Sequence, residues 1–139
     1  MIDRVFLDTN ILIYLYSEDE DDKRDVAYKV VNSNTCVVST QTLNEASNIL
    51  LKKYNLNKTQ IVEYLDGIEA VCDEIILVQR KTINQALSIK ESYGYSYYDC
   101  LILASALESN CNIIFTEDMS AGQMIDNQLK IINPFNGVQ

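Results

Sequence analysis

The hydrophobic pattern begins with a compact run, Val5–Leu7, that reads as a buried strand. Asp8 and Thr9 interrupt it. Asn10–Tyr16 then resumes apolar on every side, so period alone leaves strand or buried helix open. The acidic run Ser17–Asp25, "SEDEDDKRD", reads as a solvated loop and helix start, and Val26–Val31 as a short helix. Cys36–Ser39 predicts a second strand. Leu43, Ala46, Leu50, Leu51 and Tyr54 recur at helical spacing, and Ile61, Leu65 and Ile68 mark a further helix with Tyr64 beside them. Ile75–Val78 is expected to be a third strand, and Thr82–Ser92 a helix. Tyr97–Glu108 is a helix so apolar through "CLILASAL" that it belongs in the core. Asn112–Phe115 and Leu129–Ile132 are the fourth and fifth strands, with Asn133-Pro134 ending the last.

Short apolar strands alternating with helices predict an α/β fold. The expectation is a three-layer sandwich, a central parallel sheet of four to five strands flanked by helices. The 139 residues suit one domain, 1–139, with no repeat and no linker. Ligands in such sheets bind beyond the carboxyl ends of the strands, where the strand order reverses. An unpaired buried carboxylate is costly, so Asp8 is expected at that mouth, directly after strand one. Other acids fall at equivalent places. Glu45 lies early in the helix after strand two, Asp99 in the first turn of the apolar helix, and Glu117 and Asp118 immediately after strand four.

Composition narrows the chemistry. The chain has no histidine, which removes Ser-His-Asp and Cys-His catalysis, His-ligated zinc and imidazole acid–base work. Neither G-x-G-x-x-G nor G-x-x-x-x-G-K-[ST] occurs. A net charge of −9 argues against bulk electrostatic binding of nucleic acid but suits divalent cations or a basic partner. Four acids converging at one mouth would resist ionisation unless a cation neutralised them. Oxygen ligands alone point to Mg²⁺ or Mn²⁺. No apolar run spans a bilayer and no signal peptide is recognisable. The scattered Cys36, Cys72, Cys100 and Cys111 therefore read as reduced thiols of a cytoplasmic protein.

Bland readings stand beside these. Thr42-x-x-Glu45 and Ser96-x-x-Asp99 each have the spacing of a capping box. Asp8-Thr9-Asn10 is a helix start by type, and Thr116-Glu117-Asp118 a polar turn. Capping and metal binding are compatible in one residue.

The stretches "VFLDTNILI", "STQTLNEASNIL" and "YSYYDCLILASALESNCNIIFTEDMSAGQ" together resemble a PIN domain, in the family's order and over nearly the whole chain. The resemblance implies a Mg²⁺- or Mn²⁺-dependent endoribonuclease. Its four acids fall on Asp8, Glu45, Asp99 and Asp118, with Asn10 and Thr116 at supporting polar positions. Asp118 matches the family's T-x-D, while the adjoining Glu117 is the alternative for that place. Asp8, Asp99 and Asp118 are assigned to metal binding, Glu45 to a water at the metal or its activation, and Asn10 to orienting Asp8 or such a water. Small members, and the tail "GQMIDNQLKIINPF", resemble VapC-type toxins of toxin–antitoxin pairs. That implies a homodimer and a small antitoxin that lays an apolar face in a groove and reaches the acidic site.

Other classes remain open at this point. One is a receiver-type phosphoacceptor, weakened because strand three runs into "VQRK" where its phosphorylated Asp belongs. Others are an RNA-processing nuclease that is not a toxin, and a non-catalytic interaction module. Lys52 lies two helical turns beyond Glu45, on roughly its face, and is a candidate for substrate phosphate. Lys53, Arg80 and Lys81 are further candidates. Tyr93, Tyr95, Tyr97 and Tyr98 crowd before Asp99, two of them expected in the core and the others free for an interface or for RNA bases.

Overall fold

In the computed structural model, which describes residues 3–136, β1 (Arg4–Leu7) lies inside a six-stranded sheet. Val5 and Leu7 enter one core, Phe6 the other, and all three are fully buried. A strand covered on both faces cannot alternate with polar residues. The chain continues through α1 (Thr9–Tyr16), α2 (Asp21–Ser33), β2 (Thr35–Ser39), α3 (Thr40–Lys52), α4 (Lys58–Val71) and β3 (Glu74–Ile76). It ends with α5 (Arg80–Tyr93), α6 (Tyr97–Glu108), β4 (Ile113–Phe115), β5 (Met124–Ile125) and β6 (Leu129–Ile132). The strand order is β3-β2-β1-β4-β6-β5, parallel throughout except where β5 pairs with β6.

Helices α1 to α4 cover one face, packing Leu12, Ala27, Ala46, Leu50 and Ile68 with Val5, Leu7 and Val38. Helices α5 and α6 cover the other, with Ile89, Ile102 and Leu103 against Phe6, Val37 and Ile114. These are the three layers expected. The chain leaves β1 for β2 over one face and reaches β4 over the other, so the order reverses at β1. Helix α6 is buried without interruption from Cys100 to Leu107 because it is enclosed by α5, α3 and the sheet. Gly94, at φ +77°, ends α5 in the left-handed region and lets α6 turn back along it. None of the helices is long and apolar enough to cross a membrane among the described residues.

Three local outcomes go beyond the periodicity. Asn10–Tyr16 is helical, because Asp8 accepts the Thr9 N–H at 2.6 Å and caps α1, and both edges of β1 are already paired. Strand β3 stops at Ile76, two residues short of Val78, whose N–H goes to Thr40 Oγ1 at 3.1 Å in place of a ladder bond. The expected four to five parallel strands are joined by β5, a two-residue antiparallel strand. Its hairpin turns through Asp126 and Asn127 at φ +50° and +55°, closed by Gln128 N–H on Ile125 O at 3.0 Å. That Asp-Asn pair was the available signal for the turn.

Ile102 is fully buried at the centre of the apolar helix. Ile102→Ala is expected to cost about 2–5 kcal/mol. The check is urea unfolding, where the midpoint falls and the slope does not change.

Candidate active site

The site begins with Asp8. Its N–H continues the β1–β4 pairing onto Phe115 O at 3.1 Å, and the next strand along does the same, Thr116 N–H reaching Ile132 O at 3.0 Å. Asp8 and Thr116 therefore stand side by side where β1 and β4 end. The Thr116 hydroxyl donates to Asp8 Oδ2 at 2.7 Å, and the Thr9 amide donates to Oδ1. Each oxygen of a side chain only 4% exposed thus has a donor. The same Thr116 oxygen accepts the Asp118 N–H at 3.1 Å, and Asn10 Nδ2 donates to Asp118 Oδ2 at 2.9 Å. Of the two roles expected of Asn10, orienting Asp8 or a water, the contact with Asp8 is not made: one residue into α1, its amide nitrogen points across to Asp118 on the β4 loop and away from the cap.

Two helices bring the remaining acids. Helix α3 starts at Thr40, and its capping box is Ser39 with Thr42, Oγ of Ser39 taking the Thr42 N–H at 3.3 Å and Thr42 Oγ1 the Ser39 N–H at 3.0 Å. The spacing Thr42-x-x-Glu45 is therefore not a cap. Glu45 sits in the second turn, its Oε2 accepting from Gln41 Nε2 at 3.0 Å. Asp99 lies at the third position of α6, where Ser96 Oγ accepts its N–H at 3.3 Å. Asp8, Glu45, Asp99 and Asp118 all line one open cleft of about 620 Å³, together with Asn10, Tyr14, Asn48, Lys52 and Lys53.

The electrostatics follow from this convergence. Burial pushes the Asp8 carboxyl up to about 7; its bonds from Thr116 and Thr9 oppose the rise, and Asp99 and Glu45 add to it. Burial also raises Glu45, against the bond from Gln41 and with Asp99 adding, and raises Asp99, against Ser96 and with Asp118 adding. The four acids are thus linked by like-charge repulsion. Asn10 Oδ1 is buried without a hydrogen-bond partner among the described residues, an oxygen left over beside the acids. An all-oxygen donor set with excess negative charge fits a hard divalent cation. Among the described residues no three acidic or cysteine side chains are grouped tightly enough to enclose an ion directly.

Glu117 leaves the cleft for a pair with Lys23, Nζ to Oε2 at 3.0 Å, while its neighbour Asp118 faces the other acids. Lys52 and Lys53 line the cleft; Arg80 and Lys81 are exposed at the start of α5 and do not. Tyr93, Tyr95 and Tyr97 pack against the core, one more than expected, and Tyr98 is exposed. The hydroxyls of Tyr93 and Tyr95 hold the chain after β4, accepting the N–H of Asp126 at 2.9 Å and of Ser120 at 3.2 Å. Sequence reasoning had no role for Tyr14, Asn48 or Lys23. Lys23 lay hidden in an acidic run that reads as solvent-facing.

A family model described as PIN domain matches residues 5–123. No curated protein matches the sequence. Among solved structures, a toxin–antitoxin complex from Klebsiella pneumoniae aligns with a TM-score of 0.69 at 20% identity, covering 94% of this chain and 97% of that one. VapBC2 from Rickettsia felis, bound to a DNA fragment from its promoter, aligns at 0.67 and 22%, covering 94% and 98%. VapC20 from Mycobacterium tuberculosis, described as a sarcin–ricin loop cleaving toxin, aligns at 0.67 and 17%, covering 82% and 89%. At these identities the likeness is one of fold.

Asp8 also sets a pH dependence. Its pKa is higher folded than unfolded, so the fold favours the protonated form. Stability is therefore present at low pH and is lost as pH rises from about 4 through about 7, by up to about 4 kcal/mol for Asp8 alone. Glu45 and Asp99 act with the same sign. The metal-free protein should melt at a lower temperature at pH 8 than at pH 5, and Asp8→Asn should flatten that slope. Mg²⁺ should restore the melting temperature at pH 8 and do little at pH 5. A melting temperature that climbs with pH in EDTA would contradict an upward shift of Asp8.

Proposed function

We propose, for a chain that belongs to the PIN-domain family, that the cleft hydrolyses RNA phosphodiesters as a Mg²⁺- or Mn²⁺-dependent endoribonuclease. The observation that carries this reading is the gathering of Asp8, Glu45, Asp99 and Asp118 from four separate elements into one cleft at the reversal of strand order. Asp8, Asp99 and Asp118 would hold the cation, in part through waters it keeps, and the ion would supply charge that acidifies a water and offsets the negative phosphodiester. Thr116 and the Thr9 amide fix both Asp8 oxygens, and Asn10 fixes Asp118. Glu45, tethered on one oxygen and raised by burial, would take a proton from the attacking water. The water oxygen bonds to phosphorus, the ester P–O bond breaks, and the leaving oxygen is protonated from solvent. Lys52 and Lys53 offer the substrate's phosphates their only positive surface among the residues lining the cleft.

The reading extends to a cytoplasmic VapC-type toxin, acting as a homodimer and silenced by a small antitoxin. The fold shared with toxins of such pairs supports it. So does a groove of about 420 Å³ between α1, α2 and α4, where Leu15, Tyr28, Val31, Tyr64, Ile68 and Val71 offer apolar surface to an antitoxin segment. A cationic side chain from that segment would compete with the metal for Asp8 and Asp99. The same site would serve an RNA-processing nuclease that is not a toxin.

Purified protein should cut RNA with Mg²⁺ or Mn²⁺ and stop with EDTA. Asp8→Asn keeps the shape, removes one charge, and should lower kcat by orders of magnitude with the fold intact. Wild-type rates in that variant would sink the assignment. Growth arrest on expression, relieved by Asp8→Asn or by the neighbouring gene product, separates a toxin from a housekeeping nuclease. Lys52→Glu should raise KM for RNA and flatten its salt dependence, and unchanged kinetics across salt would remove Lys52 from the site.

A further inference from the structure

Glu117 adjoins a proposed metal ligand yet turns away from the cleft. One of its oxygens accepts from the Tyr14 hydroxyl, and the other from Lys23 Nζ at 3.0 Å. Lys23 also donates to the Tyr14 oxygen at 3.1 Å, and its ammonium lies 4.9 Å from the Tyr14 ring centroid and 5.6 Å from that of Phe135. Phe135, buried, meets Tyr14 edge-on with centroids 4.9 Å apart. Four segments therefore close on one ion pair: α1 through Tyr14, α2 through Lys23, the loop after β4 through Glu117, and the chain after β6 through Phe135. Both charged side chains are about one-fifth exposed, 22% each, and cation–π contact adds to the pair.

Asp118 has no comparable burial. Its side chain is exposed, and its fixings are Asn10 and its own N–H on Thr116. What restrains the backbone around it is the alternation along the loop. Thr116 is buried, Glu117 is clamped, and Met119 is buried again. An exposed carboxylate between three anchored neighbours is held without being covered.

We propose that Glu117, clamped by Lys23 and Tyr14, is a positioning residue that sets Asp118 in the cleft; the proposal rests on the reading above in that Asp118 serves there as a cation ligand. Positioning and plain charge give opposite signs at Lys23 and the same sign at Glu117, so Lys23 decides between them. By charge alone, removing the Lys23 cation would tighten cation binding and removing the Glu117 anion would loosen it. By positioning, either loss frees the same loop and loosens binding.

The test is calorimetric titration of Mn²⁺ into the full chain, with circular dichroism to show each variant folded. Lys23→Met and Glu117→Ala should each raise the Mn²⁺ dissociation constant about tenfold, the scale of a lost partner behind a ligand. The double variant should be no worse than either single one, because the two residues act as a unit. Lys23→Arg, which keeps the pair, should retain most of the affinity. Tyr14→Phe removes only the hydroxyl and should weaken binding in the same direction; it stands in if a charge variant fails to fold. In RNA cleavage, kcat should fall while KM stays. Tighter Mn²⁺ binding in Lys23→Met, unchanged affinity in folded variants, or a wild type that takes up no Mn²⁺ would overturn the proposal. A wild type that binds Mn²⁺ with these effects but cuts no RNA would overturn the nuclease reading and leave the positioning role standing.

Discussion

The hydroxyl of Thr116 donates to Asp8 across the ends of β4 and β1, and the mouth of the sheet is organised around that bond. A carboxylate at the end of a strand buried on both faces has little water to solvate it. It persists there because two donors, this hydroxyl and the Thr9 amide, take the place of water. The same carboxylate caps α1, so strand, helix and site share one residue. The Thr116 oxygen also accepts the Asp118 N–H, so the position of a second acid depends on the first bond.

Repulsion shapes the rest. Asp8, Glu45 and Asp99 are all pushed upward, chiefly by burial and further by a neighbouring acid: Asp99 and Glu45 for Asp8, Asp99 for Glu45, Asp118 for Asp99. Each is tied to a different element, so the repulsion cannot be relieved by a single loop moving away. A site of this kind stores unfavourable charge that a bound cation would release. The fifth acid, Glu117, is handled otherwise. Lys23, in the acidic first turn of α2, neutralises it outside the cleft, so it does not add to the charge gathered there.

Much of this was legible along the chain. The apolar runs marked β1, β2, β4 and β6, and the unbroken apolar stretch of α6 announced a helix enclosed by its neighbours. Asp8, Asp99 and the pair Glu117-Asp118 were legible because strand and helix ends are local features of the pattern. The capping spacing at Thr42 misled because Ser39 lies inside what reads as a strand, and a helix can begin on the strand's last residue. The two-residue β5 was missed because it is too short to show a period, though its Asp-Asn turn was readable.

The sequence by itself determined the α/β layering, the absence of imidazole chemistry and the set of acids placed near strand ends, because hydrophobic period and residue type act over a few neighbours. Only the tertiary structure decided which acids share the cleft, that Asn10 serves Asp118, and that Lys23 takes Glu117. Those choices join residues about a hundred positions apart, Asp8 to Thr116 and Lys23 to Glu117. Such partners are set by strand order and register. Those depend on how whole faces pack, and no local pattern carries that information.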